Sequence, residues 1–406
     1  MIELIKELFS LFNAGPTAEI LRIVGIAWFI WLPIVLILIF WDVWIIYVRS
    51  GWVVHSPWIL LELKLPREIA KSPRAMEVVL NSFHNTRKGN LYERYWQGFL
   101  AMWYSLEIVG INGEVHFFIY TTSFFRNLVE SQFYSQYPDM EIIEVDDYTK
   151  AVPKDIPNEE WRMWGAEYKL TKPDVYPIRT YVEFRLDDQA KEEEKADPLV
   201  SLMEFLGSLR PGEQVWVQLL IKGADSGWQK EAAALIDKLV GRKKFAPPSE
   251  EGRLLFPSPG ETDVLKALER NIAKIGYKTG IRFIYLGRRD VYTWATFAAF
   301  LGIMKQFNSA TLNGLTPAWS TSVDYFFPNW RSVRRQKRLI DMYRQRSYFF
   351  PPYGSFLWPD SGRVRPFILT TEELATLFHF PGRTAETPTL ERIESRKGEP
   401  PPNLPV

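Results

Sequence analysis

Trp103–Thr122 reads WYSLEIVGINGEVHFFIYTT, two runs rich in β-branched and aromatic residues on either side of Asn112-Gly113. Asn-Gly accepts the positive φ of a tight turn that matches strand twist, so the stretch predicts a β-hairpin. Working outward, WILLELKLP (Trp58–Pro66) predicts a strand ended by Pro66. SPRAMEVVLNSFHN predicts a helix with Ser72 as cap, Pro73 at its first position, and Met76, Val79, Leu80 and Phe83 on one side. Beyond the hairpin, FFRNLVESQFYSQYP predicts a helix stopped by Pro138, and MEIIEVDDY a closing strand. The order β-α-β-β-α-β is that of a ferredoxin-like unit.

A similar pattern follows. WGAEYKLT and RTYVEFRL predict strands, DPLVSLMEFLGSL a helix opened by Asp197-Pro198, GEQVWVQLLIKG a strand, and GWQKEAAALIDKLVG a helix. DDQAKEEEKADP between the copies is a solvated charged loop. GRKKFAPPSEEGRLLFPSPGE, Gly241–Glu261, is a proline-rich and charged linker; helix TDVLKALERNIAKIG, strand GIRFIYLGRR and helix VYTWATFAAFLGIMKQFN come after it. GEVHFFIYTTSFFRNLVESQF (Gly113–Phe133) aligns with GEQVWVQLLIKGADSGWQKEAAALID (Gly212–Asp237) strand on strand and helix on helix, as a duplication would. The expected fold is α+β: an N-terminal transmembrane helix, tandem ferredoxin-like units and an extended C-terminal tail. Expected boundaries are 1–51, 52–150, 151–325 and 326–406.

The anchor lies in IVGIAWFIWLPIVLILIFWDVWIIYV, Ile23–Val48, which carries no charge between Arg22 and Asp42. Roughly 20 apolar residues cross a hydrocarbon core about 30 Å thick, so this reads as a transmembrane helix in contact with lipid. A helix buried in a large core is the alternative; a cleaved signal peptide fits less well, since no small-residue cleavage site follows. Trp28, Trp31, Trp41, Trp44 and Tyr47 suit the headgroup zones, and Arg49 snorkels at the exit. Asp42 lies close enough to that exit to reach interfacial water, although an intramembrane role or a neighbouring helix is also open. Pro33 removes a helical donor mid-span and calls for a kink or partner helix. Met1–Asn13 reads as an amphipathic interfacial helix. Flanking basic residues favour a single-pass protein of the inner membrane with its body in the cytoplasm.

With no cysteine among 406 residues, disulfides and thiolate chemistry are excluded. Net charge of +1 argues against a chain-wide nucleic-acid surface. No P-loop or G-x-S-x-G motif occurs, GYKTG (Gly276–Gly280) has the wrong spacing for phosphate, and His55, His84, His116 and His379 form no metal motif. Asp146-Asp147 at a strand end suits a turn better than acid catalysis. No cofactor is expected and no catalytic residue is assigned. One patch departs from neutrality: Arg331, Arg334, Arg335, Lys337, Arg338, Arg344 and Arg346, opposed by Asp341, with Leu339, Met342 and Tyr343 as an apolar docking side. Anionic lipid, local nucleic-acid phosphate and a solvated helix face compete for it.

The tail PFILTTEELATLFHFPG, then TPTLERIESRKGEPPPNLPV, predicts a short helix opened by Thr370 with Glu372 and Glu373 in its first turn. Leu374, Leu377 and Phe378 form one face, His379 and Phe380 follow, and Pro381-Gly382 ends it. Together with SQYPDMEIIEVDDY (Ser135–Tyr148) and GEQVWVQLLIKG, this segment resembles the region preceding the motor in type IV secretion coupling-protein ATPases of candidate-phylum bacteria. The resemblance runs from about Trp58 to Pro405, and here the chain ends where that family's motor would begin. It implies a membrane span and an α+β region of unknown function, without the residues that hydrolyse ATP. The expected function is a non-enzymatic scaffold of a secretion or conjugation-like translocation system, its tail docking a separate P-loop coupling ATPase and other secretion subunits. A homo-oligomeric ring is implied only by analogy. The alternative is a membrane-tethered nucleic-acid-binding protein using residues 331–346.

Overall fold

The computed structural model describes residues 27–66, 71–187, 197–244, 259–349, 364–382 and 392–393. The chain forms two compact units. One holds the apolar helix and Gly89–Leu100; the other holds the described residues of Ser56–Lys88 and Ala101–Phe349 and those from Val364 on. The amphipathic helix expected at Met1–Asn13, most of the charged loop and the linker, and the tail beyond Gly382 apart from Arg392–Ile393 lie outside the described residues.

In the first unit, α1 spans Trp28–His55, contains Pro33 and buries none of its residues. Its 28 residues span about 42 Å at the helical rise, more than a hydrocarbon core requires. The helix continues past Arg49 to His55, because nothing before Ser56-Pro57 stops it and Gly51 costs it only about 1 kcal/mol. The Trp41 and Trp44 rings meet Tyr95 and Trp96 of the companion segment, and Trp44 Nε1 donates to Tyr95 O at 2.9 Å. Gly98 has φ +72° and presses against the Val48 carbonyl where a Cβ would not fit.

In the second unit, β1 (Trp58–Pro66) leads to α2 (Pro73–Ser82); α3 (Leu91–Tyr95) belongs to the first unit, and β2 (Tyr104–Ile111) and β3 (Glu114–Thr122) form the hairpin. Asn112 at φ 55° and Gly113 at φ 92° give the expected turn. Then come α4 (Arg126–Gln136), β4 (Glu141–Val145), β5 (Trp161–Leu170), α5 (Pro198–Gly207), β6 (Glu213–Gly223), α6 (Gly227–Lys244) and α7 (Pro259–Ile272). The chain continues through β7 (Gly276–Arg288), α8 (Trp294–Met304), β8 (Leu315–Ser320), α9 (Pro328–Arg344), β9 (Phe367–Thr370), α10 (Thr371–Leu377) and β10 (Arg392–Ile393). All the strands share one sheet in the order β10-β1-β3-β2-β6-β7-β5-β8, with β4 also on β1 and β9 also on β7. Within it β4-β1-β3-β2 is mirrored by β8-β5-β7-β6, and β2 pairs with β6 antiparallel at the join.

Alternation along the strands makes two cores. Leu106, Ile108, Val217, Leu219, Ile281 and Phe283 face the larger one, shared with α2, α4, α5, α8 and α10. Val109, Phe118, Trp216 and Ile284 face the other, closed by Leu339, Ile340, Met342 and Tyr343 of α9. The apolar side read on the basic helix is therefore its buried side.

Arg179–Leu186 is not the expected strand but a run of turns, with Arg185 at φ 57°. Its backbone donors are taken by other partners: Arg179 N donates to Phe307 O at 3.0 Å and Tyr181 N to Thr376 Oγ1 at 2.9 Å, while the N–H groups of Glu183, Phe184, Arg185 and Leu186 close turns within the run. Conversely, β8 forms although Pro317 interrupts its run, which an edge strand tolerates because an outward donor is dispensable.

Across the second face runs a buried polar row. Glu107 of β2 lies opposite Gln218 of β6, Gln218 opposite Arg282 of β7, and Arg282 opposite Glu167 of β5. All four are fully buried. Gln218 Nε2 donates to Glu107 at 2.9 Å, Arg282 Nη1 to Gln218 Oε1 at 3.3 Å, and Arg282 Nε to Glu167 at 2.8 Å. Arg346 caps the first end, binding both oxygens of Glu107 at 3.1 and 3.2 Å and also Asp147. Removing one partner of such a set leaves an uncompensated buried charge, at about 3–5 kcal/mol. Arg346→Met is therefore expected to lower the thermal midpoint in detergent by on the order of 10 °C. Adding Glu107→Gln should recover part of the loss; a double variant as unstable as the sum of both single variants would contradict the pairing.

Candidate functional site

The basic segment divides into two parts with different tasks. Helix α9 ends with Arg346 at φ 47° after Gln345, where glycine is the usual occupant. Arg346 N bonds Tyr343 O at 2.9 Å and Ser347 N bonds Met342 O at 3.0 Å, closing the last turn. That backbone turn sends the Arg346 side chain inward over the Tyr120 ring. Burial would lower its pKa, but Glu107 and Asp147 outweigh burial and hold it well above the ordinary value. For Asp147, burial raises the carboxyl and the Arg346 hydrogen bonds more than offset that, leaving it below its usual range. Asp147 also accepts from Thr149 N at 3.0 Å, so the acidic pair includes the expected turn former. Tyr148 and Tyr343 share a hydroxyl contact of 2.8 Å, and burial followed by Glu107 drives both well above the ordinary phenol value.

Arg344 is spent as well, with its Nη2 donating to the carbonyls of Val152 at 2.8 Å and Pro153 at 2.9 Å. The expectation of seven basic side chains on one surface is thus corrected: Arg344 and Arg346 hold the body together. Of the rest, Arg335 donates to Ser320 O at 2.9 Å and lies over the Trp319 ring, while Arg331 lies over Tyr325 and Arg334 over Trp330. Arg334 and Lys337 are exposed, and Arg338 is half-buried. Beside them stands a group the sequence reading passed over: Phe326 is 81% exposed, Phe327 76% and Trp330 63%. The aromatic run Tyr325–Trp330 directly before the basic run was the available signal.

The segment expected to be a docking tail is also corrected. Glu372, Glu373, Leu374, Leu377, Phe378, His379, Phe380 and Pro381 are all buried in their own chain. Phe378 and Phe380 pack on Phe117 of β3, which is apolar surface a partner cannot then use. Glu372 meets Arg270 at 3.1 Å and Thr180 Oγ1 at 2.7 Å, while Lys274 meets Glu77 at 2.6 Å. His379 places Nε2 3.1 Å from Asp197, which burial raises but the imidazole more than restores, to below its ordinary value. The four histidines stay with separate local partners, Gly51 O, Ala224 O, Glu62 and Asp197. Among the described residues no group of three His, Asp or Glu is placed to hold a metal. An open cleft of ≈ 450 Å³ is lined by Lys169, Lys172, Asp174 and Arg365 among others, but Lys172 is tied to the Ala310 and Thr311 carbonyls and Asp174 to Ile368 N.

In the first unit, Trp28, Trp31 and Trp41 are exposed, Asp42, Trp44 and Arg49 are half-buried, and Pro33 lies within α1. Arg49 Nε has no hydrogen-bond partner among the described residues. These features fit a helix long and apolar enough to span a membrane.

Residues 54–392 match the family described as a domain of unknown function, DUF8128, and the chain belongs to that family. This agrees with the resemblance in its coarse form, an α+β region of unknown function. Comparison with curated proteins finds no match. Among solved structures, a variant of berberine bridge enzyme is similar with 10% identity and a TM-score of 0.21, over 73% of this chain and 56% of that one. A likeness at that level says nothing of fold or chemistry.

Glu373 supplies a test of the tail's placement. Its two oxygens face Ile178 N at 2.9 Å and Thr370 N at 2.8 Å, and Thr370 Oγ1 lies 3.0 Å away while itself 2.7 Å from Asn271 Oδ1. The single Thr370 hydroxyl proton cannot serve both acceptors, so a protonated Glu373 completes the set. Burial pushes its pKa up to about 8. A raised carboxyl makes the folded state most stable below its unfolded pKa, and that contribution is lost as pH rises toward 8. Thermal midpoints should therefore fall between about pH 5 and 8, and Glu373→Gln should flatten that slope. An unchanged slope would show the carboxyl already ionised.

Proposed function

We propose that the protein is a membrane-anchored, non-enzymatic scaffold of a type IV secretion or conjugation-like translocation system, working with a separate P-loop coupling ATPase. The observation that carries the anchoring is α1, an apolar helix none of whose residues is buried, followed after Ser56-Pro57 by an α+β body. The motor partner rests on the resemblance of the tail and of Ser135–Tyr148, and a ring of copies on analogy alone. Burial of Glu372–Pro381 moves the proposed docking to other surfaces of the body. The reading of each half as a ferredoxin-like unit belongs to this proposal, supported by the mirrored order β4-β1-β3-β2 and β8-β5-β7-β6. The nucleic-acid reading is weaker than the sequence alone made it, because Arg344 and Arg346 are committed inside.

Co-purification from detergent-solubilised membranes should bring down a P-loop ATPase, while the isolated chain hydrolyses no ATP; intrinsic hydrolysis would overturn the scaffold. Protease added to intact spheroplasts should leave the chain from Trp52 onward whole, as a cytoplasmic body requires. Cleavage there before the membrane is broken would place the body outside and remove the reason for a motor partner.

A further inference from the structure

Phe326, Phe327 and Trp330 stand out from the start of α9, each more than half exposed. Phe327 has φ 56° and ψ 54°, a left-handed conformation that bulky residues avoid, and Pro328 fixes the first helical position after it. The backbone thus turns two adjacent phenylalanines outward where a hydrophilic turn would serve a purely solvated loop. One turn on, Val333, Arg334 and Lys337 continue the same exposed helix face, and the Arg334 guanidinium lies 5.3 Å from the Trp330 ring. From Asp324 to Lys337 the chain carries four cations, Arg331, Arg334, Arg335 and Lys337, against the single carboxylate of Asp324.

We propose that this tip is a second membrane contact: Phe326, Phe327 and Trp330 enter the headgroup region of an anionic bilayer, and Arg334 and Lys337 bind lipid phosphate behind them. Aromatic rings favour that zone because it accepts both apolar and polar atoms, and cations placed just behind them meet the anionic surface. The charge sign selects anionic lipid, and the chain itself carries a segment long enough to cross a bilayer, so the membrane is at hand. Duplex nucleic acid would satisfy Arg334 and Lys337 but leaves two phenylalanines without apolar cover. The proposal rests on the membrane anchoring above and not on the motor partner.

The chain has no cysteine, so Asn329→Cys gives a unique label site inside the tip while leaving its aromatic residues intact. The full-length variant, spin-labelled and incorporated in lipid nanodiscs, reports depth by its collisions with oxygen against a water-soluble nickel complex. Incorporation itself reports the anchor, so loss of the anchor and failure of the tip are distinguishable. In discs of phosphatidylcholine with phosphatidylglycerol the label should collide preferentially with oxygen; with phosphatidylcholine alone it should shift toward water. The inserted fraction is expected to drop about fivefold per cation removed, and further in Arg334→Glu/Lys337→Glu. A label freely reached by the nickel complex in both discs overturns the proposal. Equally fatal is a label shielded from both reagents, which indicates a protein partner or second copy, or one shielded only when duplex DNA is added.

Discussion

A row of polar side chains in the middle of an apolar sheet constrains everything around it. Glu107, Gln218, Arg282 and Glu167 sit directly opposite one another across four strands. Slipping any strand by one residue would turn its member of the row into the other core and strand its neighbours as unpaired buried groups. Burying these groups costs desolvation that apolar residues would not incur, so the row is poor evidence for extra stability. Its effect is on uniqueness: β2 can meet β6 in one register, and the two halves of the chain become one sheet.

The same row explains the division within the basic segment. Arg282 is completed by the carbonyls of Met342 at 3.1 Å and Ser347 at 2.6 Å, and Glu107 by Arg346, so the end of α9 is tied to the sheet at both cations. With Leu339, Ile340, Met342 and Tyr343 buried beneath, α9 is held by its C-terminal half. Its N-terminal half carries the exposed aromatic tip.

Local chemistry made much of this legible. Asn112-Gly113 announced its hairpin, Ser72-Pro73 and Asp197-Pro198 their helix starts, and Thr370 with Glu373 the start of α10, because each feature is set by neighbours in the chain. What depended on distant partners was not legible. Arg346 and Arg334 look alike in sequence, and only the carboxylates of Glu107 and Asp147, some two hundred positions earlier, decide which of them is buried. Glu372–Pro381 suits a partner-docking segment by its sequence for the same reason: its apolar face finds Phe117, and its acids find Arg270, Lys274 and Thr180, which no local pattern reveals. Arg179–Leu186 alternates as a strand does, yet its donors close local turns or go to Phe307 O and to Thr376 Oγ1 of α10.

If the polar row joins the halves into one structure, the amides of β1–β4 and of β5–β8 should open together. Hydrogen exchange on the full-length protein in lipid nanodiscs measures this directly, comparing peptides from β2 and β3 with peptides from β6 and β7. One common opening free energy is predicted, with Glu107→Gln lowering protection by the same factor in both sets. Separate opening of the two halves, or a loss confined to the half that carries Glu107, would contradict it.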